Sequence, residues 1–180
     1  MNPNLNTSTH RIDDSSYVAQ CAEQLDTHGA LVLPAFFTPE AIAAVVAQSE
    51  HRESDAFYAN STHNVYITPP KPELGDDHTY NRQVVSSKGL IADDEIPADS
   101  PLRSVYNDAA FQAFLCGVLG IDKAHPYDDA LSSINVHFAS EGKELGWHFD
   151  NSSFAVTMLL QAPEGGGQFE YVPNLSLIHI

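Results

Sequence analysis

A histidine and an aspartate two residues apart, His148 and Asp150, stand in the run Gly146-Trp147-His148-Phe149-Asp150. In an extended chain successive side chains point to opposite faces, so the imidazole and the carboxylate share one face and Trp147 and Phe149 the other. A His and a carboxylate at this spacing are two of the three protein ligands of a 2-His-1-carboxylate iron(II) site, the third being a histidine from a later strand. Three ligands on one triangular face leave open positions that a 2-oxoacid and dioxygen can fill. Asp150 brings negative charge and, unlike a thiolate, survives oxidising chemistry. In a chain with nine histidines such a pair also arises by chance, and the competing account is a surface His–Asp pair. Its position favours the metal: it ends a strand-like run, just before Asn151-Ser152 and a glycine-rich turn.

Other polar residues gather around this pair. Ser133, Asn135 and His137 alternate with Ile134, Val136 and Phe138, and so share the polar face of the preceding strand. Asn135 is a candidate hydrogen-bond donor to the cosubstrate, or a satisfied structural amide. His137 is a candidate substrate contact, or an ordinary partly buried histidine. Asn151 borders the pair and is either a substrate contact or only the turn residue. Arg82 is one of eight basic residues; a carboxylate-bearing ligand needs a cation, while a surface ion pair is the alternative. Beyond the metal ligands no catalytic residue is singled out. No P-loop, dinucleotide fingerprint, Gly-x-Ser-x-Gly elbow or Cys-x-x-Cys pair is present in the sequence.

The elements that must position these residues change character along the chain. Residues 1–14 are polar and read as a flexible arm. Tyr17, Val18, Cys21 and Leu25 recur at helical spacing, with Gly29 placed to cap the helix. Ala30–Leu33 reads as a buried strand. Thr38-Pro39-Glu40 opens a second helix, and Ser100-Pro101 a helical region that breaks near Asn107-Asp108 and ends at Gly120. Asn64–Thr68 reads as a strand, and 71–99 as an irregular segment with a β-like piece near Gln83–Val85. From Leu131 the period becomes alternating, with strands expected over Leu145–Asp150, Phe154–Gln161 and Gln168–Val172. Helices followed by an antiparallel β region predict an α+β fold, a double-stranded β-helix (jelly roll) with N-terminal helices outside it.

Size and charge bound the function. The chain has 180 residues, suited to one domain. With 24 acidic against 8 basic residues its formal net charge is -16, which repels phosphate backbones and anionic lipids. Nucleic-acid and membrane partners are therefore not expected, and a small-molecule substrate is. Cys21 and Cys116 lack metal-type spacing and suit a reducing compartment. With no apolar signal core, a cytoplasmic location is expected.

The block from Gly146 to Asp150, continued by Asn151-Ser152-Ser153-Phe154 through Gln161 and by Gly165-Gly166-Gly167-Gln168-Phe169-Glu170-Tyr171-Val172-Pro173, resembles the iron(II)/2-oxoglutarate-dependent dioxygenase superfamily. Within it the pattern is similar to the branch of free-amino-acid hydroxylases and amino-acid halogenases, as are Gly29–Pro34, Phe36–Glu40 and Asn81-Arg82. The resemblance implies Fe(II), 2-oxoglutarate and O2 at His148 and Asp150, and oxidation of an amino acid or its derivative. Halogenases of that branch replace the carboxylate ligand with a small residue so that chloride can bind, so retention of Asp150 implies hydroxylation. The family's distal histidine and its 2-oxoglutarate-binding basic residue lie on strands beyond the glycine-rich hairpin, and neither is matched here. The expectation is a domain over 15–174, incomplete at its C-terminus, with 175–180 a non-native tail resembling translated adapter sequence. Such a fragment is expected to be inactive while its parent is an enzyme; the other account makes His179 a genuine late residue. The alternative from another class is a non-catalytic jelly-roll binding protein.

Overall fold

The computed structural model describes residues 1–127, 129, 131–150, 152–173 and 175. They fall into two compact units. One comprises Met1–Gln48, Asp93–Ile134 and the chain from Gln168, the other Ser49–Ala92 and Asn135–Gly167. The candidate residues Asn151 and His179, and all of residues 175–180 but Leu175, lie outside the described residues.

The first unit is helical for reasons legible in its sequence. Helix α1 (Ser15–His28) turns Tyr17, Val18, Cys21 and Leu25 to the core. Asp14 caps it by accepting from the Ser16 and Tyr17 amides, and Gly29 closes it at φ 72, a left-handed conformation that a Cβ would strain. Helix α2 (Pro39–Arg52) starts where Thr38 Oγ1 accepts from the Ala41 amide at 3.3 Å. Ser100 and Asp108 cap α3 (Pro101–Tyr106) and α4 (Ala109–Leu119), so the expected break at Asn107-Asp108 is present. The core joins Leu5, Ile12, Cys21, Phe37, Ala41, Val105, Phe114 and Val118. Asp93 takes an ion pair from Arg103 at 2.9 Å.

Residues 1–14 are not the loose arm that their polarity suggests. Leu5 and Ile12 enter the core and Leu5 bridges to Phe37. The buried His10 ring bonds through both nitrogens. Its Nε2 lies 2.8 Å from the Pro34 carbonyl and must donate, so Nδ1 accepts from the Tyr17 hydroxyl at 2.6 Å. Burial, with Cys21 alongside, pushes that hydroxyl up to about 12. Average polarity hid a few well-placed anchors.

The second unit holds an antiparallel sheet in the order β1-β2-β3. Strand β1 (Phe57–His63) pairs with β2 (Val84–Ile91) in a register running from Phe57↔Leu90 to His63↔Val84. Strand β3 (Val136–Phe138) pairs with the far end of β2, with Gly89↔Phe138, Leu90↔His137 and Ile91↔Val136. The strand expected at Asn64–Thr68 lies earlier, because Asn64 folds that segment into a turn. Its buried side chain accepts from the Tyr66 and Thr68 amides, both at 3.2 Å.

Ala30–Leu33, Phe154–Gln161 and Gln168–Val172 join no strand ladder, and Leu145–Asp150 does so only through the neighbouring Glu144↔Ser87 bridge. Leu145, Val156, Leu159 and Phe169 remain exposed. Alternation specifies which face of a strand is apolar, but a ladder also needs a partner from elsewhere in the chain. Among the described residues no helix is long and apolar enough to cross a membrane.

Candidate metal centre

The segment carrying His148 and Asp150 is fixed along β2. The Ser87 amide donates to the Glu144 carbonyl at 2.7 Å, and the Gly146 amide donates to Ser86 Oγ at 2.9 Å. At Gly146 the backbones approach so closely that a Cβ would lie 2.6 Å from the Val85 carbonyl oxygen and 2.7 Å from Val84 Cγ2. A side chain there must push the segment off the strand. Gly146→Ala is expected to weaken Mn(II) binding roughly tenfold, the scale seen when a group that orients a ligand is disturbed. Wild-type affinity in that variant, read by calorimetry, would show that this close approach does not position the pair.

Past Gly146 the side chains separate as alternation predicts. Phe149 stacks on Tyr66 at 5.8 Å and Tyr66 on Tyr80 at 4.7 Å, while the Phe149 amide donates to the Val65 carbonyl at 2.8 Å. Trp147 is half-exposed and not part of a core. His148 Nδ1 lies 2.7 Å from the Gly146 carbonyl, an acceptor, so Nδ1 carries a proton and Nε2 is the nitrogen left to face Asp150. Asp150 Oδ1 lies 3.3 Å from that same Nε2. A lone pair facing a carboxylate calls for a positive charge between them, either a proton or a metal cation. Two donors each about 2.1 Å from a metal at a right angle would stand about 3.0 Å apart, so the pair fits two adjacent ligand positions.

His63, at the end of β1, was not singled out by sequence reasoning, and nothing local in Ser61-Thr62-His63 marks it. Its ring lies edge-on to His148, with centroids 6.1 Å apart. Nδ1 faces the Asn64 carbonyl at 2.9 Å, so Nε2 accepts from Ser86 Oγ at 2.8 Å. That hydroxyl in turn receives the Gly146 amide. Both ring nitrogens of His63 are thus committed, and it walls the pair without adding a donor. Among the described residues no group of three or more His, Cys, Asp or Glu side chains is placed to hold a metal ion.

The remaining candidates are more distant in their chemistry. Arg82 is exposed in the segment before β2. Asn135 is exposed beside β3, and His137 lies on β3 opposite Leu90. Burial and the nearby Lys88 charge hold the His137 imidazole below its ordinary range, although the ring keeps solvent contact.

The structure sets an imidazole and a carboxylate side by side on a segment held against an antiparallel sheet. The chain belongs to the halogenase D family, whose pattern it matches over residues 12–178. It is therefore a member of an enzyme family by that family's name. No curated protein matches the chain.

Proposed function

We propose that this protein is a non-haem iron(II)- and 2-oxoglutarate-dependent dioxygenase that hydroxylates a small substrate, a free amino acid or a derivative of one. The observation that carries the reading is the His148–Asp150 pair, with His148 Nε2 and Asp150 Oδ1 3.3 Å apart and the ring held through Nδ1 by the Gly146 carbonyl. Membership of the halogenase D family supports an enzyme of this broad kind. In this reading β1, β2 and β3 belong to a double-stranded β-helix.

His148 and Asp150 hold the iron, and the Gly146 carbonyl keeps the His148 tautomer and ring orientation. Iron(II) with 2-oxoglutarate and O2 supplies the oxidising power that breaks a C–H bond. The Tyr66–Phe149 stack anchors the backbone that carries the two ligands. Asp150 supports oxygen insertion over halogen transfer, because it fills the position that a halogenase of the resembled branch leaves to chloride.

The test is aerobic incubation of this chain, and of the longer parent that the sequence leads one to expect, with Fe(II), 2-oxoglutarate, chloride and single free amino acids, following succinate release and product mass. Iron-dependent succinate with a product heavier by one oxygen atom is expected of the longer parent and not of the 180-residue chain. A chlorinated product would overturn the hydroxylase assignment. No iron-dependent turnover of any kind by the longer parent would favour a non-catalytic binding protein.

A further inference from the structure

The residue between His148 and Asp150 is held from two sides by a single turn. Phe149 gives its amide to the Val65 carbonyl at 2.8 Å and lays its ring on Tyr66 at 5.8 Å, with the two planes 12° apart. Both partners belong to the turn over residues 64–68, just past the end of β1. Successive side chains of an extended run point to opposite sides. Fixing the amide and the ring of Phe149 therefore fixes the side to which His148 and Asp150 point.

Asn64 sets the shape of that turn. Its side-chain oxygen accepts from the Tyr66 and Thr68 amides, and its carbonyl accepts from the Ile67 amide at 3.0 Å and from His63 Nδ1 at 2.9 Å. Within this frame Ile67 stands at φ 53, a left-handed conformation that a β-branched residue adopts only when its surroundings force it. Ile67 is 47% exposed, so packing of its own side chain is a weak restraint and the Asn64 bonds are the strong one. Asn64 is buried, yet among the described residues its Nδ2 has no hydrogen-bond partner. Of the two ends of the amide, the oxygen is the one that holds the turn.

We propose that Asn64 is a positioning residue of the candidate metal centre, acting on His148 and Asp150 through the Val65 carbonyl and the Tyr66 ring. The role rests on the metal reading of that pair; the hold of the turn on Phe149 does not need the metal. Loss of the side-chain acceptor frees the Tyr66 and Thr68 amides and lets Ile67 leave its left-handed conformation. The Val65 carbonyl and the Tyr66 ring then move together, and Phe149 loses both of its partners. The bonds from Ser86 and Ser87 hold the segment only as far as Gly146. Beyond that point the turn continues the restraint.

The experiment reads Mn(II) affinity by electron paramagnetic resonance and, without metal, hydrogen exchange at the Phe149 amide, with the β1–β2 ladder as reference. Wild type is compared with Asn64→Leu, which fills similar space without an acceptor, with Asn64→Asp, which keeps the acceptor, and with Asn64→Leu carrying Ile67→Gly. Asn64→Leu is expected to weaken Mn(II) binding about 10- to 100-fold, the scale for a lost support of a metal ligand. Its Phe149 amide is expected to exchange at least about tenfold faster while the ladder stays protected. Asn64→Asp is expected to keep wild-type exchange at Phe149 and to bind Mn(II) no more weakly than wild type. Ile67→Gly, which adopts positive φ without strain, is expected to restore part of the affinity that Asn64→Leu loses. Unchanged Phe149 exchange in Asn64→Leu overturns the proposal whatever the affinity, as does an Asn64→Asp variant as damaged as Asn64→Leu. Should Asn64→Leu expose the ladder as well, Asn64→Ser, a weaker turn acceptor, takes its place under the same criteria. No Mn(II) binding in the wild type rejects the metal reading instead; faster Phe149 exchange in Asn64→Leu then still upholds the turn's hold on the segment.

Discussion

His148→Ala is expected to lower Mn(II) affinity by at least about 100-fold, since even disturbing a group that supports a ligand costs roughly 10- to 100-fold. Asp150→Asn keeps the shape of the side chain and removes its charge, and is expected to do comparable damage. The reason lies in the geometry of the pair. With Nδ1 committed to the Gly146 carbonyl, His148 offers one lone pair, and that lone pair meets Asp150 at 3.3 Å. Among the described residues neither group has a substitute beside it, because His63 spends both nitrogens on Asn64 and Ser86. His63→Ala is accordingly expected to fall between wild type and His148→Ala. Titration by electron paramagnetic resonance reads free Mn(II) directly. Equal affinity in wild type and His148→Ala would remove the metal centre, and with it the dioxygenase reading.

The second large effect concerns the helical unit. Phe114 is 2% exposed and stacks on Tyr17 at 6.2 Å and on Phe36 at 6.3 Å. Phe114→Ala removes the ring that these aromatic contacts share and leaves a cavity that the capped helices around it cannot close. A loss of about 3–5 kcal/mol is expected, a large share of the total stability of a domain. Phe57, 71% exposed on β1, serves as the comparison; Phe57→Ala is expected to change stability by no more than about 0.5 kcal/mol. Denaturant unfolding separates the two. Similar midpoints for both variants would mean that Phe114 is not central to the core that holds these helices.

Local chemistry was legible where its cause is local. Asp14, Thr38, Ser100 and Asp108 cap helices by bonding to amides two or three residues away, and Gly29 and Gly120 end them through a conformation that depends on one residue. The positions of the four α-helices among the described residues follow from such signals. The pairing of His148 with Asp150, and the turning of Phe149 to the other side, follow likewise from alternation within a short run. The membership of residues 1–14 in the core was not legible, because it depends on where Leu5 meets Phe37 and where His10 meets Pro34.

By itself the sequence determined the helices with their caps, the donor pair and the excess of negative charge, all properties of residue type and near-neighbour spacing. The tertiary structure alone decided which strands find partners, that His63 and Ser86 back the His148 segment, and that Lys88 and His137 become neighbours. Those contacts join residues tens of positions apart, and their register depends on how β1, β2 and β3 align. No spacing along the chain encodes that alignment.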